Sequence, residues 1–146
     1  MIAVIQRVTS AKVTVNQHDI GFIGTGIMAL VGVEKPDTRQ DAQRLLERML
    51  NYRIFADAQD RMNLSLRDIH GGLLLVPQFT LVADTQKGNR PSFTSAAPPE
   101  QGRELFAYLQ ELALATYDVV AFGEFGADMQ VALVNNGPVT FTLKTR

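Results

Sequence analysis

The chain contains no cysteine and only two histidines, His18 and His70, neither set in a metal-ligand spacing. Disulfides and thiolate metal sites are thereby excluded, and the expectation is a protein with no metal and no cofactor. Long apolar runs are missing too. Ile27 to Val33 and Leu73 to Val76 are strand-sized, well short of the roughly 20 residues of a membrane span. The opening Met1-Ile2-Ala3-Val4-Ile5-Gln6-Arg7 lacks the basic, apolar and small-residue succession of a signal peptide and reads as a first strand. We therefore expect a cytoplasmic protein with no membrane partner. Charge of one sign is scarce as well: a net charge of −1 argues against nonspecific coating of RNA. A local basic rim from Arg7, Lys87, Arg90, Lys144 and Arg146 stays open beside the plainer reading of scattered solvated cations. Finally, there is no Gly-x-Ser-x-Gly elbow, Walker loop, Gly-x-Gly-x-x-Gly or His-Glu-x-x-His. Gly21-Phe22-Ile23-Gly24 and Gly24-Thr25-Gly26 read as turns, and His18 and His70 as loop residues.

What is present suits one compact domain over residues 1–146, with 46% hydrophobic residues to build a core. Strands are expected at Ile2 to Thr9, Lys12 to Val15, around Ile20 to Ile23, and at Gly26 to Val33, with Asn16-Gln17-His18-Asp19 and Gly24-Thr25-Gly26 as turns. Asp37 or Thr38 caps a helix whose Ala42, Leu45, Leu46, Met49 and Leu50 keep helical spacing. A short strand at Arg53 to Phe55, a polar loop through Asp57 to Asp68 and a buried strand from Leu73 to Leu81 follow. Asp84 to Pro99 has no apolar period and reads as a long surface loop, a place where function concentrates. Pro98-Pro99 opens a second helix to about Thr116, striped by Leu105, Phe106, Leu109, Leu112 and Ala113. Strands near Val119 to Phe122, Met129 to Val134 and Val139 to Lys144 complete an α+β pattern: a strongly bent sheet or barrel with two flanking helices.

Two stretches are not explained by core packing. In Asn135-Asn136-Gly137-Pro138-Val139-Thr140, a permissive glycine precedes a ring that fixes φ and donates no hydrogen bond. Carbonyls around Gly137-Pro138 can then be held in unusual directions, and in a pocket they would bind an ammonium group. In Pro77-Gln78-Phe79-Thr80-Leu81, strand alternation puts Gln78 and Thr80 on one face and Phe79 on the other. That face is either a polar pocket floor or simply the wet side of a strand edge. Thr80 has no histidine or lysine near it in sequence to act as its base, so backbone N–H groups of this segment are the better oxyanion candidates. Lys87-Gly88-Asn89-Arg90-Pro91-Ser92-Phe93 sets two cations and an aromatic on the long loop, a combination suited to phosphate and base contacts. Phe125-Gly126-Ala127-Asp128-Met129 reads as a turn between strands whose large side chains serve the core. Arg7, on an otherwise apolar strand, needs acceptors if it is buried.

Through these segments the chain resembles the D-aminoacyl-tRNA deacylase family over essentially its whole length. Five ordered matches carry the resemblance: Ala3-Val4-Ile5-Gln6-Arg7-Val8, Gln78-Phe79-Thr80-Leu81, Lys87 to Phe93, Phe125 to Met129, and Asn135-x-Gly137-Pro138-Val139-Thr140. The family pattern has serine before the glutamine and this chain has Pro77, so a role for that hydroxyl or its backbone donor does not carry over. The resemblance implies an enzyme that cleaves D-amino acids, and glycine mischarged on tRNA-Ala, from tRNA. It implies a homodimer with the pocket at the subunit interface, in which a cis Gly137-Pro138 peptide enters the partner's pocket and excludes L-residues. Gln78, Phe79 and Thr80 become the catalytic segment, with Asn135, Gly137, Pro138 and Arg7 setting chirality. Lys87 and Arg90 then meet tRNA, Phe125, Ala127 and Met129 complete the pocket, and the terminal adenosine's 2′-hydroxyl takes part. The rival classes are a noncatalytic module for the tRNA 3′ end, a general D-amino-acid esterase or peptidase, and a purely structural interface protein.

Overall fold

The computed structural model describes residues 1–146. Strands β1 (Ile2–Val15), β2 (His18–Ile23) and β3 (Gly26–Gly32) form the first part of a six-stranded sheet. Helix α1 (Arg39–Asn51) follows, then β4 (Phe55–Ala56) and β5 (Met62–Leu64), which pair apart from the main sheet, and a one-turn helix α2 (Leu66–Ile69). Strand β6 (Gly72–Pro77), a 3-10 turn (Phe79–Val82), helix α3 (Pro99–Thr116), β7 (Val120–Phe122) and β8 (Gln130–Lys144) complete the chain.

The apolar pattern decides which strands are central. β3 and β6 are nearly continuous in Ile, Leu, Val, Met and Ala, and they pair in parallel with both faces covered, as such strands must. β1 alternates, burying Ala3, Ile5, Ala11 and Val13, and pairs antiparallel with β3 along its first half and β2 along its second. Its other edge carries β8 throughout. β6 pairs in parallel with β7, and a Cβ built on Gly21 of β2 would lie 2.7 Å from the Phe122 carbonyl of β7. The sheet therefore bends until its ends almost meet, the barrel-like α+β arrangement expected.

Two apolar cores result. The larger packs α1 and α3 on the sheet through Leu45, Leu46, Met49, Leu50, Phe106 and Leu109; the smaller, with Val8, Val13, Met28, Leu74 and Val76, occupies its other face. Each fully buried leucine contributes about 1.5–3 kcal/mol relative to exposure, enough for three leucines on α1 to fix its docking.

Several elements differ from expectation. Ile2 to Thr9 and Lys12 to Val15 are one strand, as are Met129 to Val134 and Val139 to Lys144, because bulges absorb the interruptions. The third strand ends at Gly32 rather than Val33, and the strand placed at Arg53 to Phe55 is Phe55–Ala56. The polar stretch Asp57 to Asp68 holds β5 and the start of α2, whose Ser65 caps it by accepting from the Asp68 N–H at 3.2 Å. The strand expected to reach Leu81 ends at Pro77 and turns into the 3-10 segment.

Charge ties the chain ends to the start of α1. The buried Met1 ammonium donates to Asp37 Oδ1 at 2.6 Å, and Arg146 pairs with Asp41 at 2.8 Å. Thr38 is the N-cap of α1, and its N–H donates to Asp41 Oδ2 at 2.8 Å. Desolvation pushes the Asp41 carboxyl up, but hydrogen bonds, led by the Thr38 backbone, outweigh it and lower the pKa from 3.8 to about 2. A folded-state pKa below the unfolded value stabilises the fold above pH 3.8, and the contribution is lost as the pH falls through about 2. The unfolding midpoints of wild type and Asp41→Asn in urea should thus differ at pH 6, with the gap narrowing as the pH falls from 3.8 toward about 2; a constant gap would contradict the assignment.

Candidate active site

A cavity of about 540 Å³ opens at the C-terminal ends of the parallel strands β3 and β6, within the range of small-molecule sites. Its walls come from both cores: Leu30, Val76 and Val131 on the barrel side, Val33 and Phe106 toward α3. Gln78, Phe79 and Thr80 line it, as do Phe125, Ala127 and Met129. The structure therefore joins two segments nearly fifty positions apart that were singled out separately. The segment is the expected turn, at Phe125-Gly126, and its half-buried Phe125 and Met129 pack against the two cores while also lining the cavity.

The Gln78 segment is not a strand face. Gln78 is extended (φ −144°, ψ 96°) and acts as N-cap of the 3-10 turn; its N–H donates to the Val31 carbonyl at 2.8 Å, the last rung onto β3. Its side-chain amide then donates to Thr80 Oγ1 at 2.9 Å, so the two polar groups do meet, through turn geometry instead of alternation. Phe79, 64% exposed, stacks at 5.2 Å on Phe93 of the long loop. Amides in the first turn of a helical segment lack internal partners, and neither the Phe79 nor the Thr80 N–H donates a turn, loop or cap bond. No histidine, lysine or carboxylate lines the cavity, so Thr80 has no base there.

Arg7, Asn135, Gly137 and Pro138 do not line this cavity. They build a protrusion on β8. Val8 pairs with Asn135 and Gln6 with Thr140, so five steps on β8 span two on β1 and the intervening residues loop out. Asn135 closes the loop: its Oδ1 accepts from the Val139 N–H at 2.7 Å and its Nδ2 donates to Thr140 Oγ1 at 3.0 Å. Arg7, half-buried, finds its acceptors in two carbonyls, donating from Nε to Asn136 at 2.9 Å and from Nη1 to Ile54 at 2.7 Å. Gly137-Pro138 is a cis peptide, and Gly137 has φ +147°, where a side chain is strained.

Lys87 and Arg90 are exposed and also outside the cavity. A bridge between Asp84 and Ser92 closes their segment into a hairpin, leaving both cations at its tip and Phe93 at its base. Sequence reasoning missed Val31, Pro98, Gly102 and Arg103 in the cavity wall. One available signal was topological: parallel strands with crossover helices place ligands beyond their carboxyl ends.

Residues 4–144 match the family described as D-Tyr-tRNA(Tyr) deacylase. A D-aminoacyl-tRNA deacylase from Nitrosococcus oceani is 58% identical over 144 residues, covering 99% of this chain and 93% of that protein. One from Azotobacter vinelandii is 59% identical, covering 99% of each. Among solved structures, one described as c-Myc DNA Unwinding Element Binding Protein superposes with a TM-score of 0.95 at 39% identity, covering 100% of this chain and 99% of that one. A "probable eukaryotic D-amino acid tRNA deacylase" shares the fold, with a TM-score of 0.83 at 16% identity and 97% coverage of both. These relatives place the chain among the hydrolases. More narrowly, it belongs to the D-Tyr-tRNA(Tyr) deacylase family.

Proposed function

We propose that this protein hydrolyses the ester of D-aminoacyl-tRNA, and of glycine mischarged on tRNA-Ala, and that residues 1–146 act as one deacylase domain in the cytoplasm. Water adds to the acyl carbon, the bond to the ribose 3′-oxygen breaks, and free amino acid and tRNA leave. An aminoacyl ester is already activated, so positioning and an oxyanion site suffice where the wall offers no nucleophile–base pair. The Phe79 and Thr80 amides receive the oxyanion, Gln78 and Thr80 order the polar side of the site, and the 2′-hydroxyl of the terminal adenosine assists.

Chirality is read by a second copy of the chain. The observation carrying this reading is a protrusion braced by Arg7 and Asn135 that stands outside its own chain's cavity. In a homodimer, Gly137-Pro138 of each protomer enters the partner's cavity, where its carbonyls take the α-ammonium and its main chain leaves no room for an L side chain. Selectivity by exclusion tolerates many D-residues and discriminates weakly against achiral glycine. β8 supports such pairing: β1 is the one strand it pairs with in the chain, it exposes Val134 and Phe141, and an uncovered edge strand invites a partner. No helix is long and apolar enough to cross a membrane.

The test is hydrolysis of matched D- and L-aminoacyl-tRNA carrying the same amino acid, at nanomolar protein. Loss of the D-ester alone supports the reading; tRNA binding without release of either amino acid would replace it with a noncatalytic 3′-end module. Arg7→Ala removes the bond that braces the protrusion at Asn136 and the one that anchors the guanidinium to Ile54, and charged hydrogen bonds of this kind are worth about 1.5–3 kcal/mol each. We expect a lower D/L ratio or a weakened dimer by sedimentation; both unchanged would remove Arg7 from the mechanism.

A further inference from the structure

The cavity wall contains a single charged residue, Arg103, near the start of α3. Its guanidinium carbon lies 4.9 Å from the centre of the Phe125 ring, and a methyl built on Gly126 would sit 3.7 Å from its Nη2. It joins none of the ion pairs, which involve Met1, Lys12 and Arg146 as cations. Stacking on an aromatic holds a guanidinium by its face at about 0.5–1 kcal/mol when exposed, and leaves the in-plane N–H donors available for an anion. A planar fork of this kind suits phosphate oxygens.

We propose that Arg103 binds the phosphodiester joining the terminal nucleoside of the tRNA to the nucleotide before it, and so fixes how far the 3′ ester enters the cavity. The inference rests on the deacylase reading and names a contact for it. The remainder of the wall is uncharged, which suits the acyl group and nucleoside. Counting outward from the ester, the first anion in the substrate is the 5′-phosphate of that nucleoside. Counting outward from the cavity floor, the first cation in the protein is Arg103. Lys87 and Arg90, at their hairpin tip outside the wall, then serve phosphates further along the strand. Arg103 acts as a positioning residue, since it touches substrate away from the reacting carbon.

The experiment compares wild type, Arg103→Gln and Arg103→Lys on a D-aminoacyl-tRNA and on the matching D-aminoacyl-adenosine, which keeps ester and nucleoside but has no phosphate. Loss of one charged hydrogen-bonding contact should raise KM for the tRNA about tenfold more in Arg103→Gln than KM for the adenosine ester, with the effect in KM rather than kcat. Arg103→Lys should recover part of it. The slope of log KM against log salt for the tRNA should become shallower by about 0.7, the value for one single-strand phosphate. Equal changes on the two substrates would overturn the proposal and leave Arg103 as packing for Phe125; an unchanged tRNA KM and salt slope would overturn it as well. If wild type cleaves neither ester, the deacylase reading itself fails, an outcome distinct from either of these.

Discussion

Gly137→Ala should lower kcat/KM for D-aminoacyl-tRNA by about 10²-fold, the loss that follows when a group is misplaced by about 1 Å in a site that works by positioning. The expectation comes from the loop itself. A Cβ at this position would lie 2.6 Å from Val139 Cγ2, 2.9 Å from Val139 N and 3.3 Å from Arg7 Nη2. The first two contacts are too short to stand, and the third is tight. Val139 cannot yield freely, because its N–H is held by Asn135 and its side chain is buried. Arg7 cannot retreat without releasing Asn136 and Ile54. The φ of +147° adds strain of about 1–3 kcal/mol for any residue with a side chain, so the segment shifts instead of accommodating the methyl. The shift is local, because the loop projects from an edge strand and the pairs at Gln6 and Val8 lie on either side of it. Circular dichroism should be unchanged, with the melting temperature lowered by several degrees at most. Activity within a factor of two of wild type would remove the Gly137-Pro138 segment from the site.

The same loop shows what was and was not legible in the sequence. Gly137-Pro138 and Arg7 both stood out as residues unsuited to plain strand packing, but their meeting depends on β1 and β8 pairing across more than 120 positions. Local pattern carries no such information, which is also why two continuous strands were divided at their bulges. The helices were legible because their signals are local: Thr38 as cap, Pro98-Pro99 as start, and apolar faces at a period of 3.6. Gln78 and Thr80 were paired correctly for a wrong reason, since residues two apart can converge across a turn as well as along a strand. Arg103 gave no signal. One arginine on an amphipathic helix looks like solvated surface until the Phe125 segment, distant in sequence, is laid against it.

Phe79→Pro should reduce kcat by about 10²–10³-fold relative to Phe79→Leu, the usual effect of removing one oxyanion donor. The comparison isolates the amide, because both variants lose the ring that stacks on Phe93 and only one loses the N–H. Proline is tolerated here on backbone grounds. Phe79 is the first residue of the 3-10 turn, where φ near −65° is already required and the N–H has no partner within the turn. The residue before a proline must be extended, and Gln78 is. The Gln78 N–H to Val31 and the Ala83 N–H to Thr80 bonds that frame the turn do not involve the Phe79 amide. Folding should accordingly be little changed, and tRNA binding retained. If the two variants turn over equally, the Phe79 amide is not the donor. Thr80→Ala then separates what remains: lost hydrolysis with intact binding would restore the hydroxyl as nucleophile, whereas retained hydrolysis would leave the Thr80 amide, which that substitution preserves.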